Sequence, residues 1–413
     1  MWETRGMLRW LTAGESHGPA LVATIEGVPS GLTITTQMVR DALARRRLGY
    51  GRGARQKWEQ DEATILGGVR HGVTTGAPIV IQIANSEWPK WQTVMSADPV
   101  DPADLLIDAG TGDEREVARN KPLSRPRPGH ADMAGMLSYD LPDARPILER
   151  ASARETAARV ALGAIAEAMC EQIAGIRLVS HVVAVAEQQA RHMSLPRPED
   201  EAALNESPVR TCDAEAEARF ISRIDEAKSQ GDTVGGVVEV VAWGVPIGLG
   251  THVQADRRLD TRIAGALMSI QSVKGVEIGD GFAQAALPGS RAHDEIIRDT
   301  SGNLTRVSNH AGGIEGGMSN GQPIVARAAF KPISTVPRAL RSVDMRTGEE
   351  ATALHQRSDT CQVVPGALIA QAEVALVLAD LLSTHAGGNS VTEAKRNLES
   401  YQARIHERIT WDD

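Results

Sequence analysis

The chain has 413 residues, with 39 Gly but only 3 Phe, 3 Tyr and 7 Trp, and 42% of its residues are hydrophobic. Its 44 Lys and Arg are outnumbered by 53 Asp and Glu, a formal net charge of −9. That balance argues against a general nucleic-acid or anionic-membrane binder but leaves room for a local basic site. The length admits two or three domains or one large one, with an aliphatic core that needs no staples. In chain order, Leu21–Glu26 reads as a strand and Pro29–Gly31 as the turn after it. Thr35 or Thr36 caps a helix running to about Arg47. A Gly/Arg loop, Gly49–Arg55, follows, and Ile79–Ile83 is the next strand. Pro99–Pro128 is rich in Pro, Asp and Arg and reads as a long loop with short ordered pieces. Ser152-Ala153-Arg154-Glu155 has capping-box spacing and opens an Ala-rich helix to about Ile173. Residues 187–233 are polar and acidic and read as a surface insertion carrying a helix around Ala214–Lys228. Val237–Ala242 is a strand, Arg262–Ile270 a helix, and Ala367–Leu382 another, closed by Gly387-Gly388.

No run of 18 apolar residues marks a membrane span, and Met1–Leu11 lacks a signal-peptide core. Met7 is an alternative start, because the patterned sequence begins there. Cys170, Cys212 and Cys361 form no CxxC pair, which fits a reducing, cytoplasmic setting. No His/Cys/carboxylate spacing suggests a metal.

Two internal echoes point to duplication. Gly27-Val28-Pro29-Ser30-Gly31-Leu32 recurs as Gly244-Val245-Pro246-Ile247-Gly248-Leu249. The fourteen residues from Gly67 to Val80 match those from Gly312 to Val325 at seven positions, all Gly, Pro, Ile or Val. Two echoes in the same order suggest two copies of one strand–helix–strand unit within a single two-lobed body.

Several segments can carry chemistry. Gly14-Glu15-Ser16-His17-Gly18 matches the G-x-S-x-G elbow of serine hydrolases, or else holds His17 as a general acid or base between glycines. Arg40 to Lys57 holds seven basic residues against Asp41 alone. It is a solvated face, an anion site whose glycines permit close approach, or an RNA contact. Arg125-Pro126-Arg127-Pro128-Gly129-His130-Ala131-Asp132 is a stiffened loop that presets Arg127 and His130. Arg150 and Arg154 flank a helix start, a natural phosphate site. Lys331-Pro332-Ile333-Ser334-Thr335 and Arg357-Ser358-Asp359-Thr360 add cations and hydroxyls at breaks in regular structure.

Together these segments resemble the chorismate synthase family from about Met7 to Asp413. Val273-Lys274-Gly275-Val276-Glu277-Ile278-Gly279 and Asn309-His310-Ala311-Gly312-Gly313 add to the resemblance. It implies an α+β fold, a β-α-β sandwich of two pseudo-symmetry-related halves in one large domain, 1–413, assembled as a homotetramer. It implies a lyase of the shikimate pathway, and so of aromatic amino acid biosynthesis. The reaction would be anti-1,4-elimination of phosphate from 5-enolpyruvylshikimate 3-phosphate, requiring reduced FMN without net redox change. By the same resemblance His17 protonates the departing phosphate, His130 keeps the reduced ring suitably protonated, and Asp359 helps remove a proton from flavin N5. Arg46, Arg52, Arg127, Arg154 and Arg357 would hold phosphate and carboxylates. Arg150, Ala151, Ser152, Gln271, Ser272, Gly316, Lys331, Pro332, Ile333, Ser334, Thr335 and Arg357 would contact FMN. Flavin reduction by NADPH on the enzyme itself and by an external flavin reductase both stay open. With so few aromatics, the flavin should be gripped by backbone, hydroxyls and charge.

Overall fold

Strand Ala20–Glu26 alternates buried and half-buried side chains, the pattern of a strand with one face on the core. In the computed structural model, which describes residues 8–53, 61–105, 119–191, 194–300, 302, 304–353 and 359–409, this strand is the second of an antiparallel sheet. β1 (Arg9–Gly14), β2 (Ala20–Glu26), β3 (Ala63–Gly67) and β4 (Ile79–Ala84) stand in the order β1-β2-β4-β3. Helix α1 (Thr36–Arg46) lies between β2 and β3, and the Thr35 hydroxyl caps it by accepting from the Met38 N–H. Short helices α2 (Asp132–Ser138) and α3 (Arg145–Arg150) precede α4 (Thr156–Ala174), which ends on left-handed Gly175.

The second half repeats this plan. β5 (Arg177–Val185), β6 (Gly236–Trp243), β7 (Val273–Ile278) and β8 (Ile324–Phe330) stand in the order β5-β6-β8-β7. Helices α6 (Leu259–Met268) and α7 (Val363–Ala386) take the places of α1 and α4, while α5 (Ala214–Ser229) falls between β5 and β6. The echoes coincide with the topology bond for bond. The Thr74 hydroxyl donates to the Pro29 carbonyl at 2.6 Å and accepts from the Leu32 N–H at 2.9 Å. Ser319 makes the same pair to Pro246 and Leu249 at 2.6 and 2.8 Å. Bridges Thr33–Val73 and Gly250–Met318 are likewise equivalent.

The helices fill the space between the sheets. α4 packs on β2 and β4, α7 on β5 and β6, and α4 and α7 on each other. Their crossing is close because Gly163 faces Ala372, where an added Cβ would come within 2.3 Å of the alanine Cβ. α7 is long and apolar enough to cross a membrane, but its apolar stretch is fully buried in this core.

Three expectations need correction. The helix expected at Arg262–Ile270 spans Leu259–Met268, and the one expected at Ala367–Leu382 spans Val363–Ala386. The Ser152 side chain caps only a 3-10 turn by accepting from the Arg154 N–H, and no reciprocal box forms. Glu155 instead turns its carboxylate to Thr12, Arg159 and Gln271. The 187–233 segment does carry helix α5, but Ala216, Phe220, Ile224 and Ala227 of that helix enter the core. Leu204 and Val209 are also buried, and Leu204 packs with Val179 and Val241 of the sheet. The acidic surface covers a buried apolar underside.

Candidate active site

A cavity of about 960 Å³ opens where loops of both halves converge. The β1–β2 loop brings Ser16 and His17 to its wall. Asn85, just after β4, pins this loop by donating to the carbonyls of Ser16 at 3.3 Å and Gly18 at 2.9 Å. Glu149 on α3 accepts from the His17 N–H at 2.8 Å and holds its Nδ1 at 2.9 Å. Trp91 stacks on the imidazole, with ring centroids 3.9 Å apart and planes 26° apart.

The Gly-x-Ser-x-Gly pattern therefore joins one strand to the next strand of the same sheet. A nucleophile elbow needs a strand-to-helix turn. The Ser16 hydroxyl meets the Ser152 hydroxyl, which donates to it at 3.2 Å.

Arg46 and Arg52 of the basic run are directed inward, while Arg55 and Lys57 lie outside the described residues. Arg46, on the last turn of α1, donates to Thr156 Oγ1 at 3.1 Å and the Ala153 carbonyl at 3.0 Å. Asp61 pairs with Arg154 at 3.0 Å and with Arg46 at 3.5 Å, so one buried carboxylate aligns two guanidinium groups. Burial lowers Arg46 to about 10, opposed by Asp61 and assisted by the nearby Arg52 and Arg154. Arg46 thus stays charged at neutral pH in a place that favours an incoming anion. Arg52 pairs with Asp359 at 2.8 Å, and the Gly53 N–H donates to the same carboxylate at 2.7 Å. Arg45 is drawn to Glu201 at 2.8 Å. Arg45, Arg46 and Arg52 are thus spent on internal partners and the cavity wall, not on an exposed RNA-binding stripe.

The Arg-Pro-Gly-His loop forms the third group. Arg127 is buried and donates to Asp132 at 2.8 Å and to Thr335 Oγ1 at 3.0 Å. Asp132 also contacts His130 Nδ1 at 2.5 Å. Burial would raise the Asp132 carboxyl, but hydrogen bonds from His130 and Arg127 hold it well below the ordinary carboxylate range. Its fixed negative charge orients His130 in the cavity wall.

From the second half come Gln271 and Ser272, ahead of β7, and the segment after β8. Ser272 has a left-handed backbone (φ 73°), and its carbonyl accepts from the Lys331 N–H at 2.9 Å. Lys331 Nζ donates to the Gly129 carbonyl, joining this segment to the His130 loop. Burial, with Lys274 second, lowers Lys331. Gln271 Nε2 donates to Glu155 at 3.0 Å. Its Oε1, like Arg52 Nε, is buried with no partner among the described residues.

The cavity thus collects His17, Arg46, Arg52, Arg127, His130, Ala151, Ser152, Arg154, Gln271, Ser272, Lys331, Ile333, Ser334, Thr335 and Asp359. Three expected contacts are not on its wall. Arg150 points away and donates to Thr12 and Gly14, beside a separate cavity of about 420 Å³. Pro332 is passed over between two lining neighbours. Gly316 sits in the turn of the Ile314–Ser319 hairpin. Arg357 lies outside the described residues. Sequence reasoning missed Trp91, Glu149, Asp61, Arg119 and Arg145. Arg145 lies over the Trp91 ring at 5.8 Å. A Trp in a chain so poor in rings was the available signal, and it places stacking in a site expected to lack it.

Two imidazoles, a carboxylate on a guanidinium, and several Arg side chains suit proton transfer around a polyanion. The family model described as Chorismate synthase matches residues 8–383. The chorismate synthase of Beutenbergia cavernae is 60% identical over 403 residues, covering 97% of this chain and 100% of the relative. That of Streptomyces coelicolor is 60% identical over 394 residues, covering 95% and 98%. A solved structure titled "Crystal Structure of Chorismate Synthase" superposes with a TM-score of 0.74 at 36% identity, covering 96% of this chain and 98% of that one. The chain belongs to the chorismate synthase family, a family of lyases.

Proposed function

We propose that this lyase eliminates phosphate from 5-enolpyruvylshikimate 3-phosphate in the anti-1,4 sense, with reduced FMN and no net redox change. The observation that carries the reading is the single cavity in which His17, His130 and Asp359 face a cluster of Arg side chains. The substrate has one phosphate and two carboxylates, and Arg46, Arg52 and Arg154 offer forked donors to such groups. His17 gives its proton to the departing phosphate, which needs its Nε2 turned to the cavity. Asp359, held by Arg52 and the Gly53 N–H, takes up a proton.

The residues present suit a flavin. Lining hydroxyls of Ser152, Ser334 and Thr335, the buried unpartnered Gln271 Oε1 and the Lys331 cation match a ring system with carbonyls and a phosphate tail. Reduced FMN bound there supplies an electron-rich ring for breaking the substrate C–H bond. Ala151, Ser152, Gln271, Ser272 and the Lys331–Thr335 segment would hold it, and His130 would face it.

Purified protein should form chorismate from the phosphorylated substrate with chemically reduced FMN under anaerobic conditions. No product above a heat-killed control overturns the reading. NADPH-driven turnover in air, without added reductase, separates an enzyme that reduces its own flavin from one served by an external reductase. The family resemblance further supports a cytoplasmic homotetramer, for which sizing should return four chain masses.

A further inference from the structure

We propose that Glu149 is the positioning residue for His17, fixing both the ring's direction and its proton arrangement. The proposal rests on the reading above that His17 delivers the proton to the departing phosphate.

Glu149 follows α3's first turn, and its side chain has 0% solvent exposure. Both its oxygens face one residue. Oε2 accepts from the His17 backbone N–H at 2.8 Å, while Nδ1 lies 2.9 Å from Oε1 and 3.0 Å from Oε2. The Glu149 carbonyl also accepts from the Ser16 N–H at 3.1 Å. One residue thus clamps main chain and side chain of the catalytic loop together. A carboxylate accepts only, so Nδ1 must carry a hydrogen. The proton that comes and goes is therefore the one on Nε2. When Nε2–H is lost to the leaving phosphate oxygen, Nδ1–H stays on Glu149 and a neutral imidazole remains. Trp91 on the ring face removes the remaining freedom about the ring axis. Arg145 beside Glu149 and over Trp91 closes the same corner. A buried carboxylate behind a histidine is otherwise costly, and here its acceptors are filled by that histidine.

The test uses the full-length enzyme with reduced FMN. Glu149→Gln keeps the volume but replaces one acceptor oxygen by a donor. It should lower kcat at least about tenfold, with KM for substrate within about twofold. In a His17→Ala background the same change should lower kcat no further, because Glu149 acts through His17. Glu149→Ala should regain part of the lost rate with added formate, which can refill the space behind Nδ1. If Glu149→Ala does not fold, the cycle with Glu149→Gln still decides. Wild-type turnover in Glu149→Gln, or an equal further loss on adding it to His17→Ala, overturns the proposal. Wild-type turnover in His17→Ala instead overturns the role assigned to His17.

Discussion

Asp132 shows how one side chain sets the chemistry of its neighbours. It is buried, and Arg127 and His130 both depend on it. Asp132→Asn leaves the Arg127 guanidinium buried without its counter-charge, at a cost of about 3–5 kcal/mol at neutral pH. The folded-state pKa is depressed, so the stabilisation is full above the unfolded value and fades as pH falls toward the folded one. Urea melts should therefore show a wild-type advantage over Asp132→Asn that is constant at neutral pH and shrinks below about pH 4. His17→Ala and Asp359→Ala should each lower turnover by about 10²-fold or more, with FMN affinity changed far less. Fluorescence titration of FMN beside steady-state assays checks this. Either variant turning over near wild type removes its assigned role. His17, His130 and Asp359 were legible because each sits in a Gly, Pro or Arg context that a packed core does not need. Glu149 and Asp61 were not, since an acidic residue acquires such a role only when folding brings its cationic partner against it.

At the scale of elements, the repeated strand–helix–strand unit was legible and the local caps were less so. The glycines of the echo mark backbone positions that side chains avoid. Gly68 and Gly313 have φ of +82° and +76°, and an added Cβ would come within 2.5 Å of the Pro78 and Pro323 carbonyl oxygens. Gly68→Ala and Gly313→Ala should each cost roughly 1–3 kcal/mol, and by similar amounts, in chemical denaturation. A neutral result for one and not the other would mean that the halves are not mechanically equivalent there. The capping box at Ser152 failed for a reason outside the local sequence. Arg159 and Gln271 offer the Glu155 carboxylate charge-assisted and amide partners, which outbid a backbone N–H. α7 begins four residues earlier than expected because the buried Val363–Gly366 stretch extends it beyond its strongest periodicity, while α6 is displaced toward buried Leu259 and stops at Met268.

Over the whole molecule, the 187–233 segment is a structural cover as well as an acidic surface. It roofs the outer face of the second sheet and puts Phe220 and Ile224 into the core. Arg210, 1% exposed, donates to the Ser180 carbonyl at 2.8 Å and to Glu201 at 2.9 Å, riveting cover to sheet. Phe220→Ala should therefore cost about 3–5 kcal/mol, seen as a lower urea midpoint with KM unchanged. Deleting the segment should yield unfolded or aggregated protein, and a folded species on sizing, monomer or tetramer, would refute its core role. The composition hid this, since the polar residues that dominate the segment lie on the side facing water.

The central position of α7 also has a consequence for how the chain is made. Asp380, near the end of α7, accepts from the Leu8 N–H at 2.8 Å, and the Ser30 N–H donates to the Asn389 carbonyl at 2.9 Å. The first sheet is thus closed by residues translated long after it. At about 5–20 residues per second, β1 to β4 emerge many seconds before the helix that covers their partner layer. Until α7 is made, α4 lacks the partner that its apolar face packs against. A stop codon just before Val363 should cost the candidate active-site cavity, whose wall includes Pro365, Gly366 and Ile369, and the solubility of everything translated before it.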